Sequence, residues 1–305
     1  MKKAILLIVL LAILVGLVIV RRDDLAAVLD TYLANYKRDI DIGEVNDYYR
    51  NMDFDYVQIT DNFFPENDKD ITNIVYTVLN AGKKEFTFYC PKEYEDCIRD
   101  VQTLANDQTK LSDINNFVHP FNSFSNIAFE YDSLGRVTVM ITKMYNDEEI
   151  EAINKKIDEL LPTLTSSLKS DEDNIRSIHD YIINNTRYDS LRSEQGQEVY
   201  KSNKAYGPLF EGYAICGGYT DLMELFLERL NIKSYKISSI SHVWNALYIN
   251  GKWLHLDLTW DDPVADDGKD YLLDSFFLIS TDELLESEKT QHVFDLDVYK
   301  EVKED

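Results

Sequence analysis

Apolar side chains recur at helical spacing through Ile71, Ile74, Val75, Val78 and Leu79, and again through Tyr94, Ile98, Val101 and Leu104. Pro91 suits a first helical position, so the second of these helices is expected to run from Pro91 to about Asn106. Phe86 to Tyr89 is a short strand candidate. Val137, Val139 and Ile141 alternate with Arg136, Thr138 and Met140, the two-residue period of a strand. With Ile127 to Tyr131 they predict a hairpin around Asp132-Ser133-Leu134-Gly135. Asn146, with Glu149 three residues on, opens a helix striped by Ile150, Ile153, Ile157, Leu160, Leu161 and Leu164, which Pro162 is expected to kink or divide. Ser170 and Asp173 open another, with Ile175, Ile178 and Ile182 inside. Ser190 to Tyr213 is polar and reads as loop. The helix through Leu222, Met223, Leu225, Phe226, Leu227 and Leu230 is apolar on most faces and should be central.

Ala4 to Val20 has no polar side chain, follows Lys2-Lys3 and precedes Arg21-Arg22-Asp23-Asp24. As a helix it would be ~26 Å long, close to the hydrocarbon thickness of a bilayer. An uncleaved membrane anchor fits best, with a cleaved signal peptide as the alternative. Lys2 and Lys3 lack acidic neighbours, which favours a cytoplasmic N-terminus and an extracytoplasmic body.

Hydrophobic residues at 45% and charged residues at 28% describe a chain with a substantial core. The net charge of −24 repels phosphate backbones, so no nucleic-acid partner is expected. Cys90 and Cys97 read as small buried apolar residues, because a helix from Pro91 would hold them too far apart to bridge. No cysteine–histidine spacing fits zinc. The acidic run Asp261-Asp262, then Asp266-Asp267-Gly268-Lys269-Asp270, does not fit a calcium loop and reads as solvated. Neither metal nor cofactor is expected. His119, in an Asn-rich loop, is expected at the surface, and His179 as a partly buried packing residue.

Chemistry converges further along. Cys216 stands at the start of the apolar helix, where the helix dipole favours thiolate, and Gly217-Gly218 after it permit close approach. Asn250-Gly251 predicts a two-residue hairpin turn. Ile249 then opposes Lys252, Leu247 opposes Leu254, Trp244 opposes Asp257 and His242 opposes Thr259. One face is Val243, Asn245, Leu247, Ile249, Leu254, Leu256 and Leu258; the other carries His242, Trp244, Ala246, Tyr248, Trp253, His255, Asp257 and Thr259. His242 and Asp257 are diagonal neighbours with backbones ~7 Å apart, within side-chain reach. A histidine held by a carboxylate, facing a cysteine at a helix tip, suits thiolate catalysis. His255 is a rival base, but it shares a strand with Asp257 and lies further from the strand end.

These blocks resemble the bacterial transglutaminase-like superfamily. The matching stretches are Ala205-Tyr206-Gly207, Gly212-Tyr213-Ala214-Ile215-Cys216-Gly217-Gly218-Tyr219, His242-Val243-Trp244-Asn245 and Asp257-Leu258-Thr259-Trp260-Asp261-Asp262-Pro263. Ile178-His179-Asp180-Tyr181, Arg187-Tyr188-Asp189 and a closing strand at Phe276-Phe277-Leu278-Ile279-Ser280 extend the likeness over about residues 170 to 285. Val243 departs from the alanine common there. The resemblance implies a papain-like α+β core, a central helix on an antiparallel sheet, with Cys216, His242 and Asp257 as the triad. Trp244, Tyr206 and Gly217 are candidates for contacting substrate. The Cys216 N–H would be one oxyanion donor, with the Tyr206 hydroxyl or a tryptophan N–H as a second.

The expected organisation is an anchor over 1–22, an α+β region of unassigned role over 23–168 and a transglutaminase-like domain over 169–305. The expected activity is acyl transfer or hydrolysis on protein or peptide amides, with cell-envelope substrates. The alternative is a non-catalytic surface module that binds peptides.

Overall fold

A computed structural model describes residues 40–263, 272–287 and 290–303. The expected anchor and the whole of the second acidic cluster, residues 266–270, lie outside the described residues. Among the described residues no helix is long and apolar enough to cross a membrane.

The first helix, α1 (Asp68–Asn80), is capped by Asn67 and is followed by β1 (Glu85–Tyr89). Helix α2 covers Cys97–Asn106, not Pro91 onward. Residues 91–96 form turns instead, and Tyr94 N–H bonds back to the Pro91 carbonyl. That fold-back brings the Cα atoms of Cys90 and Cys97 to 5.6 Å and lets them form a disulfide, which corrects the expectation of two unlinked cysteines. Helix α3 (Gln108–Asn116) and a 3-10 turn at Pro120–Asn122 lead to β2 (Phe124–Tyr131) and β3 (Arg136–Lys143), the predicted hairpin. These strands form an antiparallel sheet in the order β1-β3-β2.

Helix α4 (Asp147–Leu164) opens on the capping box of Asn146 and Glu149. Pro162 does not divide it, because it falls in the last turn. Helix α5 (Asp171–Asn185), β4 (Arg187–Tyr188) and the short helix α6 (Ser190–Gln195) follow. The stretch expected to be loop therefore holds α6 and a π-turn at Gly207–Glu211 before β5 (Tyr213–Ala214). Helix α7 (Cys216–Arg229) is the buried central helix. It packs on an antiparallel sheet ordered β6-β7-β8-β9, comprising Ser234–Ser238, Val243–Ile249, Lys252–Leu256 and Phe277–Ile279. Helices α8 (Leu258–Asp261) and α9 (Thr281–Ser287) flank β9, and a 3-10 turn at Lys300–Lys303 ends the described chain.

The hairpin register is the expected one, with Asn245 opposite Leu256 and Ile249 opposite Lys252. Asn250 and Gly251 take the positive φ values, 54° and 85°, that such a turn requires. The described residues from 42 onward form one compact unit. Its main apolar cluster joins Phe121, Tyr145, Ile153 and Ile157 to Ile178, Leu222, Phe226 and Leu256, so it crosses residue 168 without a break.

Candidate active site

Cys216 is a free, half-buried cysteine in the first turn of α7. Behind it, the carbonyl of Ser202 sits where a side chain on Gly218 would be, 2.3 Å from an ideal Cβ. The Asn203 carbonyl is 3.0 Å from the corresponding point on Gly217. The close approach permitted by these glycines is thus made by the 202–203 backbone. Ile215 N–H donates to Ser202 O at 2.8 Å, locking this segment against the helix tip.

Helix and sheet are tied at the site. The Thr220 hydroxyl lies 2.8 Å from the Cys216 carbonyl and 3.0 Å from the Val243 carbonyl. Asn245, the one polar residue on the aliphatic strand face, donates to the Thr220 carbonyl at 3.1 Å. These bonds fix the distance from the sulfur to the strand that delivers His242.

His242 and Asp257 sit just beyond the paired ends of β7 and β8. His242 Nε2 is 2.5 Å from Asp257 Oδ2, and the Cys216 side chain is near enough to the imidazole to favour its charged form. With Nε2 on the carboxylate, Nδ1 is the nitrogen left for sulfur. Burial alone would depress His242; the Asp257 charge and hydrogen bond, with a smaller share from Cys216, outweigh it and raise its pKa to about 10. Burial would raise Asp257, but the His242 charge and hydrogen bonds from His242 and His292 hold it well below the usual carboxylate range. The other oxygen, Oδ1, accepts the N–H groups of Thr259 at 2.9 Å and Trp260 at 3.3 Å.

Trp244 stacks on His242, with ring centroids 5.6 Å apart and planes 17° off parallel. It is 1% exposed, and its indole N–H donates to His255 Nδ1 at 3.0 Å. His255 must therefore carry its proton on Nε2, 3.0 Å from the Thr281 hydroxyl. Burial foremost lowers its pKa to about 3, so the rival histidine is a weak base committed elsewhere. Tyr206 stands before the π-turn with Lys201 Nζ 4.3 Å over its ring and Phe210 beside it.

Several other expectations are corrected. His119 is fully buried: Nδ1 accepts from Phe121 N–H, so Nε2–H faces Glu228 Oε2 at 2.8 Å. Its Asn-rich loop is a capped turn whose asparagines are buried and paired, as Asn122 is to the Asn80 carbonyl at 2.8 Å. His179 is fully buried between Asp180 and Asp261, at 2.9 and 3.1 Å. Asp261 and Asp262, expected in solvent, are buried; Asp261 also accepts Phe276 N–H, and Asp262 is 2.5 Å from the Tyr219 hydroxyl.

Two site residues were not singled out in the sequence. His292 reaches Asp257 Oδ2 at 2.7 Å from a polar segment without periodicity, which carries no readable signal. Tyr188, whose pKa burial foremost raises, lies close enough to Cys216 to interact with it electrostatically. Its parallel pairing with Ala214 brings it there, and the Arg187-Tyr188-Asp189 block was the available hint.

His242, Asp257 and His292 are ligand types that could hold a metal. Their N···O separations of 2.5 and 2.7 Å are those of shared protons. An ion bound at ~2.0–2.1 Å to each would push these atoms further apart.

Residues 158–258 match the sequence profile of the transglutaminase-like superfamily. Human Kyphoscoliosis peptidase is 24% identical over 129 residues, which is 36% of this chain and 19% of that protein. The chain thus spans about a fifth of that relative's length. Among solved structures, a TGase aligns with a TM-score of 0.34 at 14% identity, over 45% of each chain. A candidate cysteine protease from Cytophaga hutchinsonii aligns with a TM-score of 0.29 at 14% identity, over 44% of this chain and 61% of that one.

Proposed function

We propose that this chain, a member of the transglutaminase-like superfamily, is a thiol-dependent acyl-transfer enzyme acting on protein or peptide amides. The observation that carries the reading is one imidazole held by Asp257 at 2.5 Å and close enough to Cys216 to interact with it electrostatically. His242 takes the Cys216 proton, and the thiolate attacks the carbonyl carbon of a carboxamide or peptide bond. The tetrahedral oxyanion is met by the Cys216 N–H at the positive end of α7. The C–N bond breaks, His242 returns the proton to the leaving amine or ammonia, and a thioester remains. Water or a second amine, deprotonated by His242, then attacks the thioester and regenerates the thiol. Water makes the reaction a hydrolysis and an amine makes it a crosslink. Asp257 keeps the ring turned toward sulfur and favours its charged form.

The substrate is proposed to be envelope protein. The Cys90–Cys97 disulfide suits an oxidising compartment, and the apolar stretch from Ala4 to Val20 suits attachment to a membrane.

The test is Cys216-directed alkylation by iodoacetamide at neutral pH, read by mass spectrometry of the labelled peptide. Wild type should label much faster than a free thiol, and His242→Ala should slow labelling by roughly two orders of magnitude, the scale of positioned acid–base help. Equal rates in the two proteins would remove the activated-thiol reading. His255→Gln should label within about threefold of wild type, because His255 already serves Trp244 and Thr281 as a neutral ring.

A further inference from the structure

Asp257 carries two imidazoles, and the reaction above uses one. His292 lies 35 residues further along the chain, yet its Nε2 is 2.7 Å from Asp257 Oδ2, the oxygen that also holds His242. A carboxylate can only accept, so His292 Nε2 carries the proton. The ring is fully buried and wedged among aromatics. Phe276 stacks on it at 5.2 Å, Trp244 meets it edge-on at 4.8 Å and Trp260 lies at 5.3 Å. Packing on these sides sets the ring plane, so the donor is aimed before any proton moves.

Two consequences follow for Asp257. Its oxygens accept from His242, His292, Thr259 N–H and Trp260 N–H, and a carboxylate held by four donors cannot rotate away from His242. Each donor also draws off negative charge. Oδ2 shares its charge between two rings, which moderates how basic it makes His242. A His242 that was more basic still would hold the thiolate pair but would give up its proton to a leaving amine more slowly.

We propose that His292 is a positioning residue of the acyl-transfer site, which holds Asp257 from behind and limits the basicity that Asp257 confers on His242. The inference rests on the reading of Cys216, His242 and Asp257 as the reacting set. Among the described residues, Cys216 also acts on His242, and His255, which is bonded to Trp244 and Thr281, acts on His292 and Asp257.

The test uses the full chain with His292→Phe, which keeps an aromatic ring without the donor, and His292→Gln, which keeps an N–H donor. The alkaline limb of the iodoacetamide pH profile of Cys216 reports the loss of the His242 proton. His292→Phe should move that limb up by about one pH unit, the scale of one lost charged hydrogen bond, while His292→Gln stays near wild type. Proton spectra should show the low-field His242–Asp257 resonance displaced in His292→Phe only. Folded His292→Phe with an unmoved limb and an unmoved resonance would overturn the proposal. If that variant does not fold, nitrogen-15 histidine spectra of wild type decide, because a bare Nε2 on His292 also overturns it. Wild-type labelling that ignored His242→Ala would instead remove the acyl-transfer reading, and the two spectra would still decide whether His292 holds Asp257.

Discussion

The guanidinium of Arg50 meets the carboxylate of Glu224 at 2.7 Å, on a Glu224 side chain with no exposed surface. Glu224 lies on the helix that begins at Cys216, and it has company on the same face. Asp221 takes Lys236 at 3.0 Å and the Tyr145 hydroxyl at 2.6 Å, and Glu228 takes His119 at 2.8 Å. Acids spaced three and four residues apart form one stripe. Three of their partners, Arg50, His119 and Tyr145, come from the part of the chain before residue 168. The early region therefore holds the cysteine helix through buried charge as well as through apolar contact.

Removing one partner of that pair should be costly. Arg50→Met leaves Glu224 buried without its cation, and burial already raises the Glu224 pKa. A loss of about 3 kcal/mol in unfolding free energy is expected, with most of it recovered in Arg50→Met/Glu224→Met. Denaturant titration of the four proteins in the cycle checks this. Simple additivity of the two single losses would mean that the pair is not a coupled unit.

Stability should peak near pH 6.5. His119 and His255 are held near pKa 4 and 3, below their ordinary 6.5, mainly by burial. Between those values and pH 6.5 the unfolded chain binds protons that the folded chain refuses, so acidification weakens the fold. His242 is raised to about 10, so its contribution is complete below pH 6.5 and is lost as pH climbs through 10. Asp257, held low, keeps its contribution until pH falls through its depressed pKa. Each histidine is worth on the order of a few kcal/mol. Thermal midpoints from pH 4 to 10 should trace a dome, and His119→Gln should flatten its acid side. A midpoint independent of pH across this range would contradict the buried neutral histidines.

The disulfide gives a thiol count. The sequence has three cysteines, so protein unfolded without reductant should show one reactive thiol, Cys216, and three after reduction. Cys90→Ala/Cys97→Ala should lower stability by about 2 kcal/mol, the scale for closing so short a loop. Three thiols in unreduced protein would place residues 91–96 in another conformation.

What the sequence determined by itself was local or periodic. The turn at Asn250-Gly251 dictates a register, and the register brings His242 to Asp257 whatever surrounds them. The capping box at Asn146 and the alternation from Arg136 to Thr142 are likewise decided within a few residues. Tertiary structure decided everything that depends on a distant partner. Pro91 could open a helix, but the chain folds back there instead and joins Cys90 to Cys97. His119, His179, Asp261 and Asp262 look soluble because their polarity is visible, whereas the groups that satisfy them lie far along the chain. His292 is the plainest case. Its role comes from a cage of aromatic rings around a carboxylate, and no local pattern of polar and apolar residues encodes where that cage will close.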